Sequence, residues 1–237
     1  MKKLTTLLFI FVFTGSMTFA QNNEAEVEQM SDYNEAEITQ DGEDNYGYIK
    51  QSSYAEYNDH SQVQDGESNE ATASVYADNI EGTQVQWGEG NVSALNQAAS
   101  NSSAETYQGG YDQTARVHQS GGSGNSATVY QALGGNGEAE TLEGEFFFFG
   151  EDNTVGIKQD GSGNDVITAQ FGVGNSAGSD WWGNLGIHQK GTGNDAMLGQ
   201  FGYGNSASIT QDGSYNQTTI MQNGSGGAIG QPASVAH

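Results

Sequence analysis

The side chains that recur at the most regular spacing are carboxamides. Gln189, Gln200, Gln211 and Gln222 follow one another at intervals of 11 residues. A carboxamide carries donors and an acceptor, so identical Gln side chains stacked in register can hydrogen-bond to one another. Burying a carboxamide is costly unless these groups are satisfied. The spacing therefore predicts columns of stacked amides whose role is structural.

The same pattern predicts a second column and the turns. In the best-preserved units Gln is followed by Gly two residues later and by Asn five residues later, as in Gln200, Gly202 and Asn205. Gly and Asn both tolerate positive φ, which favours a turn there. The predicted self-assembly ladder comprises Gln159, Asn164, Gln170, Asn175, Gln189, Asn194, Gln200, Asn205, Gln211, Asn216 and Gln222. The predicted turn glycines are Gly161, Gly172, Gly191, Gly202 and Gly213.

Residues suited to catalysis are sparse. The chain has no cysteine, and its four histidines, His60, His118, His188 and His237, are scattered. His118 and His188 directly precede a repeat Gln and are expected to face outward, as solvated surface. No Gly-rich phosphate loop stands between a strand and a helix. We expect no catalytic residue, no metal site, no cofactor and no enzymatic activity.

Two alternatives remain open at this point. The segments 161–167 and 191–197 resemble the calcium-binding repeat of RTX β-rolls, and the acidic composition suits calcium. The period, however, is 11 rather than 9, and Ser206 and Gln217 stand where a ligand Asp is needed. The second alternative is a solenoid adhesin or glycan-binding surface protein, although its outward positions are irregular.

The elements that position these side chains are repeats. The repeat positions are Gln29, Gln40, Gln51 and Gln62; after a two-residue slip Gln64, Val75, Gln86, Gln97, Gln108 and Gln119; then Gln131 and Leu142; then Phe148, Gln159, Gln170 and Trp181; then Gln189, Gln200, Gln211 and Gln222. This gives about 17 units, and a fixed period over most of a chain indicates a repeat architecture.

Each unit predicts a strand and a turn. Ala207, Ile209 and Gln211 alternate with polar residues, which indicates a strand of about six residues and a turn of about five. Because 11 is odd, each turn must reverse the chain, so two units form a rung of about 22 residues. Gln189 then lies beneath Gln211 at about 4.8 Å. The predicted fold is an all-β β-solenoid of stacked strand-turn-strand rungs, about eight and a half in number.

The N-terminal residues and the net charge indicate where the protein is located and which partners it can bind. Residues 1–20 have the pattern of a secretory signal peptide: Lys2 and Lys3, an apolar run over 7–13 too short to span a bilayer, and a small residue at Ala20. Removing them takes the formal charge from -24 to -26 and makes nucleic acid an improbable partner. We predict a mature segment at 21–28, repeats over 29–222, a divergent tail at 223–237, and no membrane insertion.

The repeats resemble those of a known family. The strings QDGSGNDVITAQ (159–170), QKGTGNDAMLGQ (189–200) and QFGYGNSASITQ (200–211) are similar to the curlin repeat of bacterial curli fibres, and the likeness covers roughly 29–222. It implies a secreted subunit of a Gram-negative type bacterium that polymerises into functional amyloid for biofilm matrix and adhesion. It also implies a homopolymer served by a nucleator subunit, an outer-membrane secretion channel and a periplasmic chaperone.

The open ends of the predicted stack favour assembly of one copy of the chain onto another. The edge of a terminal rung offers unpaired backbone groups, and the end of another copy matches it best. Nineteen of the 30 acidic residues lie between 24 and 112. We therefore expect fibres to grow faster at mildly acidic pH or with added salt. Phe146–Phe149 and Trp181–Trp182 interrupt the pattern, either as local packing or as an exposed adhesive or lateral-assembly patch. A major subunit, a nucleator and a tip adhesin are not distinguished.

Overall fold

The computed structural model describes residues 22–52, 55–132, 150–177, 186–225 and 232–236. These ranges contain nineteen β-strands and no helix. Every pair of neighbouring strands is parallel and most registers advance by about 22 residues per turn. The predicted all-β β-solenoid is confirmed, with about eight turns.

The strands form two sheets that face each other. Sheet A contains, in order, β1 (Glu24–Gln29), β3 (Tyr46–Gln51), β5 (Glu70–Val75), β7 (Val92–Ser100), β9 (Thr114–Ser123), β12 (Thr154–Ser162), β15 (Ile187–Thr192), β17 (Ser208–Ser214) and β19 (Pro232–Ala236), with β14 (Ser176–Ala177) beside β12. Sheet B contains β18 (Gln217–Ser225), β16 (Asp195–Tyr203), β13 (Asp165–Val173), β10 (Ser126–Ala132), β8 (Ser103–Tyr111), β6 (Glu81–Glu89), β4 (Asp59–Glu67) and β2 (Glu35–Glu43), with β11 (Gly150–Glu151) beside β8 and β13.

The register follows the odd period. Each turn carries the chain from one sheet to the other, so like residues return to the same sheet one rung later. Gln189 pairs with Gln211 in sheet A, and Gln200 pairs with Gln222 in sheet B. Nine of the nineteen strands are nine residues long rather than about six. In strands such as β13 and β16 the parallel pairing continues through the turn glycine, as at Gly172 and Gly202.

The first interruption of the repeat is an insertion of 17 residues. Gln119 pairs directly with Gln159, and Gln131 with Gln170. Ala132 pairs with Phe171 and the sheet resumes at β11, so residues 133–149 lie between two neighbouring positions of one rung. The prediction of repeat positions at Leu142 and Phe148 was therefore wrong. Both residues lie outside the described ranges, as does Phe146–Phe149.

The second interruption adds eight residues. Val155 pairs with Ala177, and Ile157 pairs with Ile187. Two residues that are two positions apart on β12 therefore have partners that are ten positions apart in the chain. The Gln position of this unit is therefore Gln189, and placing Trp181 there was wrong. Trp181–Trp182 lies outside the described ranges. In both cases the strands on either side of the interruption keep the same pairing pattern.

The slip near residue 62 has a similar origin. Gln40 pairs with Gln64, and Gln51 pairs with Val75, because the turn after β3 is two residues longer than the others. Gln62 is therefore not a repeat Gln. It stands in the aliphatic column of sheet B, between Ile38 and Gln84.

The core is a thin double column of small and aliphatic side chains. Ile49, Leu95, Val117, Ile157 and Ile209 are buried from sheet A, stacked with equivalent residues between them. Leu198, Val129 and several alanines are buried from sheet B. A single rung buries few apolar side chains, each contributing about 1.5 to 3 kcal/mol, so stability depends on stacking between rungs.

Candidate assembly site

The repeat glutamines of sheet B form one uninterrupted column. The Nε2 atom of each Gln in this column donates to Oε1 of the Gln that follows it, at distances of 2.7 to 3.0 Å. The members, in order, are Gln40, Gln64, Gln86, Gln108, Gln131, Gln170, Gln200 and Gln222. All donors point toward the C-terminal end, so the column has a direction. We call it the sheet B ladder.

The second hydrogen of each amide ties the two sheets together. Gln170 Nε2 also donates to the carbonyl of Thr154 at 3.0 Å, across the core on sheet A. Gln131 does the same to Thr114. Both N–H groups and the carbonyl oxygen of a ladder Gln are thereby used, which is why side chains such as Gln170 tolerate complete burial.

The corresponding column of sheet A is broken once. Gln29 donates to Gln51, and a second run joins Gln97, Gln119, Gln159, Gln189 and Gln211 at 2.8 to 3.2 Å. Val75 stands between the two runs and is buried. An aliphatic side chain cannot donate to Gln97, so the amide oxygen of Gln97 needs another donor.

His60 supplies that donor. It lies on sheet B, inside the core, and its Nε2 is 2.8 Å from Gln97 Oε1, which fixes the hydrogen on Nε2. Gly82 of the next rung leaves room for the ring, since a Cβ at Gly82 would lie 2.3 Å from His60 Nε2. Burial lowers the pKa of His60 below its ordinary value. Sequence reasoning missed this residue, although its offset of four from Gln64 places it on the inward face.

Polar side chains also replace aliphatic ones beside this histidine. Gln62 donates to Gln84 at 2.8 Å, and Gln84 donates to Ser93 Oγ. Ser93 Oγ in turn lies 2.6 Å from Thr106 Oγ1. All four side chains are buried. The first half of the solenoid therefore has a more polar interior than the second half, where Leu198 and Ile220 continue the column of Gln62 and Gln84, and Val155 and Ala177 continue the column of Ser93.

Asparagines form separate ladders at the two turns. Asn194 donates from Nδ2 to Asn164 Oδ1 at 3.0 Å, and Asn216 donates likewise to Asn194. At the other turn Asn175 donates to Asn153, and Asn205 donates to Asn175. These donors point toward the N-terminal end, opposite to the direction of the Gln ladders.

The ladder asparagines do not adopt the positive φ that the sequence suggested for them. That conformation belongs to the residue before each one, for example Gly163, Gly174 and Asp152. The Asn side chain instead holds the neighbouring turn: Asn164 Oδ1 also accepts from the backbone N–H of Asn194 at 3.1 Å.

The predicted turn glycines stand where two rungs approach most closely. Gly172 has φ of 117°, and a Cβ there would lie 2.0 Å from the carbonyl oxygen of Gly202. Gly161, Gly191 and Gly202 show equally short approaches, of 1.9 to 2.2 Å, to the next glycine of their column. Gly213 has φ of 113°. Any side chain here would push the rungs apart.

The two ends of the stack present matching edges. Within the described residues, β18 ends sheet B on one side and β2 ends it on the other. Placing β2 of a second copy after β18, in the existing register, would set Gln40 on Gln222, Ile38 on Ile220 and Gly42 on Gly224. On sheet A, β1 of that copy would then lie on β17, in the place that β19 occupies in this chain. The aligned residues are of the types that pair within the stack.

Charged side chains lie outside the stack and make few ion pairs. Lys50 Nζ lies 2.9 Å from Glu28, and this hydrogen bond lowers the pKa of Glu28 and raises that of Lys50. Partial burial works to raise the pKa of Asp160, but hydrogen bonds from Lys158, Ser120 and His188 hold it below its ordinary value. These contacts are on the outer face of sheet A.

The described ranges contain neither a metal-binding cluster nor a helix that could span a membrane. No group of three or more His, Asp or Glu side chains there could hold a metal ion. Among the same residues, no helix has the length and apolar character that crossing a membrane requires.

Comparison with known proteins finds a likeness to one family over two parts of the chain. A family model described as curlin associated repeat matches the chain at residues 20–52 and 184–213. The first match covers β1 to β3 and the second covers β15 to β17. No curated protein matches the sequence significantly.

Proposed function

Since the chain carries curlin associated repeats and folds as a β-solenoid, we propose that it is a subunit of curli-like amyloid fibres that grow by end-to-end stacking. The curlin repeat family is a family of structural fibre subunits. The observation that carries the proposal is the sheet B ladder, which runs through all of sheet B and ends on two sheet B edges whose residues match in register.

The geometry supports a head-to-tail contact. Joining β18 to β2 of the next copy would extend the sheet B ladder from Gln222 to Gln40 with its direction preserved. The contact requires β1 of that copy to replace β19 on β17. It would place Thr219 on Glu37 and Gln217 on Glu35, so no carboxylate meets another in these columns. Joining two N-terminal ends would bring Glu35 and Glu37 toward their own copies. Like charges at such short range are unfavourable.

The setting of these fibres is part of the proposal. The N-terminal pattern supports export, so the fibres are extracellular or on the cell surface, where they contribute to biofilm matrix and adhesion. The partners would be a nucleator subunit, an outer-membrane secretion channel and a periplasmic chaperone. The exposed parallel edges support the need for such a chaperone, because an unpaired edge that assembles outside would also assemble before export.

Incubation of the purified mature chain tests the proposal. We expect thioflavin-positive fibres whose diffraction shows reflections near 4.8 Å and about 10 Å. A matched pair of variants locates the contact on β18. Ile220→Lys places a charge on the inward face of the edge and should abolish elongation. Thr219→Lys places the same charge on the outward face, opposite Glu37 of the next copy, and should elongate at the wild-type rate or faster.

The controls separate folding from assembly. Both variants should show the β-sheet circular dichroism of the freshly prepared wild-type monomer, since each changes only the terminal strand. A wild-type chain that stays monomeric at high concentration for days would contradict the proposed function. Equal elongation by Ile220→Lys and Thr219→Lys would place the contact elsewhere.

A further inference from the structure

The two outer faces of the solenoid differ in charge. The four described lysines and arginines, Lys50, Arg116, Lys158 and Lys190, all lie on strands of sheet A. The strands of sheet B, within the described ranges, carry neither lysine nor arginine. Sheet B therefore has no cation on its outer face to pair with a carboxylate or to resist the approach of an apolar surface.

The outer face of sheet B is instead apolar over its C-terminal half. Ile167, Met197 and Met221 are 38%, 43% and 62% exposed, and Tyr130 is 42% exposed. We define the apolar face as the outward side of β8, β10, β13, β16 and β18, with Tyr130, Ile167, Phe171, Met197, Phe201 and Met221 as its main side chains. Its carboxylates are three. Glu105 lies within β8, at one edge of the face, and Asp165 and Asp195 are the first residues of β13 and β16.

The apolar face is a packed layer. Phe171 and Phe201 stack with ring centroids 5.1 Å apart, and Tyr107 and Tyr130 stack at 5.2 Å. Gly199 is buried although it points outward, because the side chains of Met221 and Phe201 cover it. Stacked rings turn their edges outward, whereas a sugar-binding platform needs exposed ring faces. This geometry favours contact with another apolar surface over contact with a polysaccharide.

The size of the apolar face indicates what can cover it. Five strands at about 4.8 Å and a width of about 17 Å give roughly 400 Å² per copy. A stable pair of proteins buries about 800 Å² on each partner, so two monomers would not stay together through this surface. In a fibre the same patch recurs in every subunit, and many weak contacts between two fibres act together.

We propose that the apolar face is the lateral contact by which a fibre of this chain associates with a second fibre of the same chain, sheet B against sheet B. The alternative, sheet A against sheet A, would bury Asp160, Lys158 and His188, whose desolvation is costly. This inference rests on the proposed function, since it needs fibres. It separates two steps: the edges of β2 and β18 control elongation, and the apolar face controls bundling.

The test uses a double variant that preserves the strand. Ile167 and Met197 share an outward column with Thr83, Thr128 and Thr219, so threonine is a native residue of this column. Ile167→Thr/Met197→Thr should elongate from wild-type seeds within about twofold of the wild-type rate. Electron microscopy should show single filaments where wild-type fibres form bundles of two or more.

A matched control removes an exposed apolar side chain from the other face. Tyr76 directly follows β5 of sheet A and is 47% exposed. Fibres of Tyr76→Thr should bundle as the wild type does. Bundles of unchanged width in the double variant would overturn the proposal. So would single filaments that arise from deleting residues 133–149 but not from the double variant. Absence of fibres in every variant, including the wild type, would instead reject the proposed function.

Discussion

At the residue scale the ladder glutamines combine burial with complete hydrogen bonding. Each amide accepts from the Gln before it, donates to the Gln after it, and donates to a carbonyl of the opposite sheet, as Gln170 does with Gln131, Gln200 and Thr154. Removing one member leaves a buried donor and a buried acceptor without partners, which costs more than the net gain of one hydrogen bond.

We therefore expect Gln170→Ala to destabilise the monomer strongly. The lost bonds, the orphaned groups on Gln131 and Gln200 and the cavity together give about 3 to 5 kcal/mol. Urea unfolding of freshly prepared monomer measures this difference. Gln217→Ala is the control, because Gln217 is exposed at the start of β18 and its loss should change stability by less than about 0.5 kcal/mol. Equal effects of the two substitutions would show that a buried ladder Gln contributes no more to stability than the exposed Gln217.

His60 makes the stability of the solenoid depend on pH. Burial lowers its pKa below 6.5, so at pH below about 6.5 the unfolded chain binds more protons than the folded one. The stability that the neutral His60 contributes is present above this pH and is lost as the pH falls. Ala36 and Ala104 occupy the same column, so alanine is compatible with the fold.

His60→Ala should therefore flatten the pH dependence. Between pH 7.5 and pH 5.5 the free energy of unfolding, measured with urea, should fall less in the variant than in the wild type. The difference should be up to about 1.4 kcal/mol per pH unit. Comparing the two proteins cancels the contribution of the surface carboxylates. Parallel pH curves for the two proteins would show that folding leaves the pKa of His60 unchanged.

At the element scale the turn is defined by two positions with different requirements. Gly172 lies against the next rung, whereas a Cβ at Gly174, with φ of 63°, would meet nothing within 4 Å. Asp44 and Asp152 hold the position equivalent to Gly174 in other rungs, also at positive φ. The first position therefore requires the absence of a side chain, and the second requires only tolerance of the left-handed conformation.

This difference predicts that two glycine substitutions in one turn have unequal effects on stability. Gly172→Ala should cost about 2 to 4 kcal/mol and lower the thermal midpoint by several degrees, because the methyl group meets the Gly202 carbonyl. Gly174→Asn should remain within about 1 kcal/mol of the wild type. Thermal unfolding followed by circular dichroism compares them, and similar midpoints would mean that the rungs separate at little cost.

At the scale of the whole molecule the arrangement of charge opposes the stacking. In-register pairing brings Glu35 next to Asp59, and Glu43 next to Glu67, at the distance between strands. Glu89 continues the second column. The repeat that aligns the amides aligns the carboxylates as well, and the sparse cations of sheet A do not offset this.

Salt should therefore accelerate fibre growth. Raising the ionic strength from 10 to 150 mM shortens the screening length from about 30 to 8 Å, so the elongation rate of seeded wild-type chain should rise several-fold. Glu67→Gln/Glu89→Gln removes two aligned charges and should elongate faster at 10 mM salt with a smaller response to added salt. A mildly acidic pH should act in the same direction by protonating surface carboxylates. Growth rates that are constant across salt concentration and pH 4 to 8 would refute this account.

The sequence by itself determined the period, the all-β solenoid and the stacking of like residues. These follow from local facts: side chains alternate along a strand, 11 is odd, and glycine marks most of the reversals. Only the tertiary structure decided which residues belong to the stack. Pairing of Gln119 with Gln159 removes 133–149 from the repeat, and no local pattern shows which of two partners a strand will meet.

Contacts across the core were likewise beyond the sequence. His60 bonds to Gln97 because Val75 leaves an amide without a donor and Gly82 leaves space, and these residues belong to different rungs and to both sheets. The apolar face depends in the same way on side chains from successive rungs meeting on one surface. Periodicity specifies which side of a strand each residue occupies, whereas the packing of neighbours that are distant in the chain decides what each residue touches.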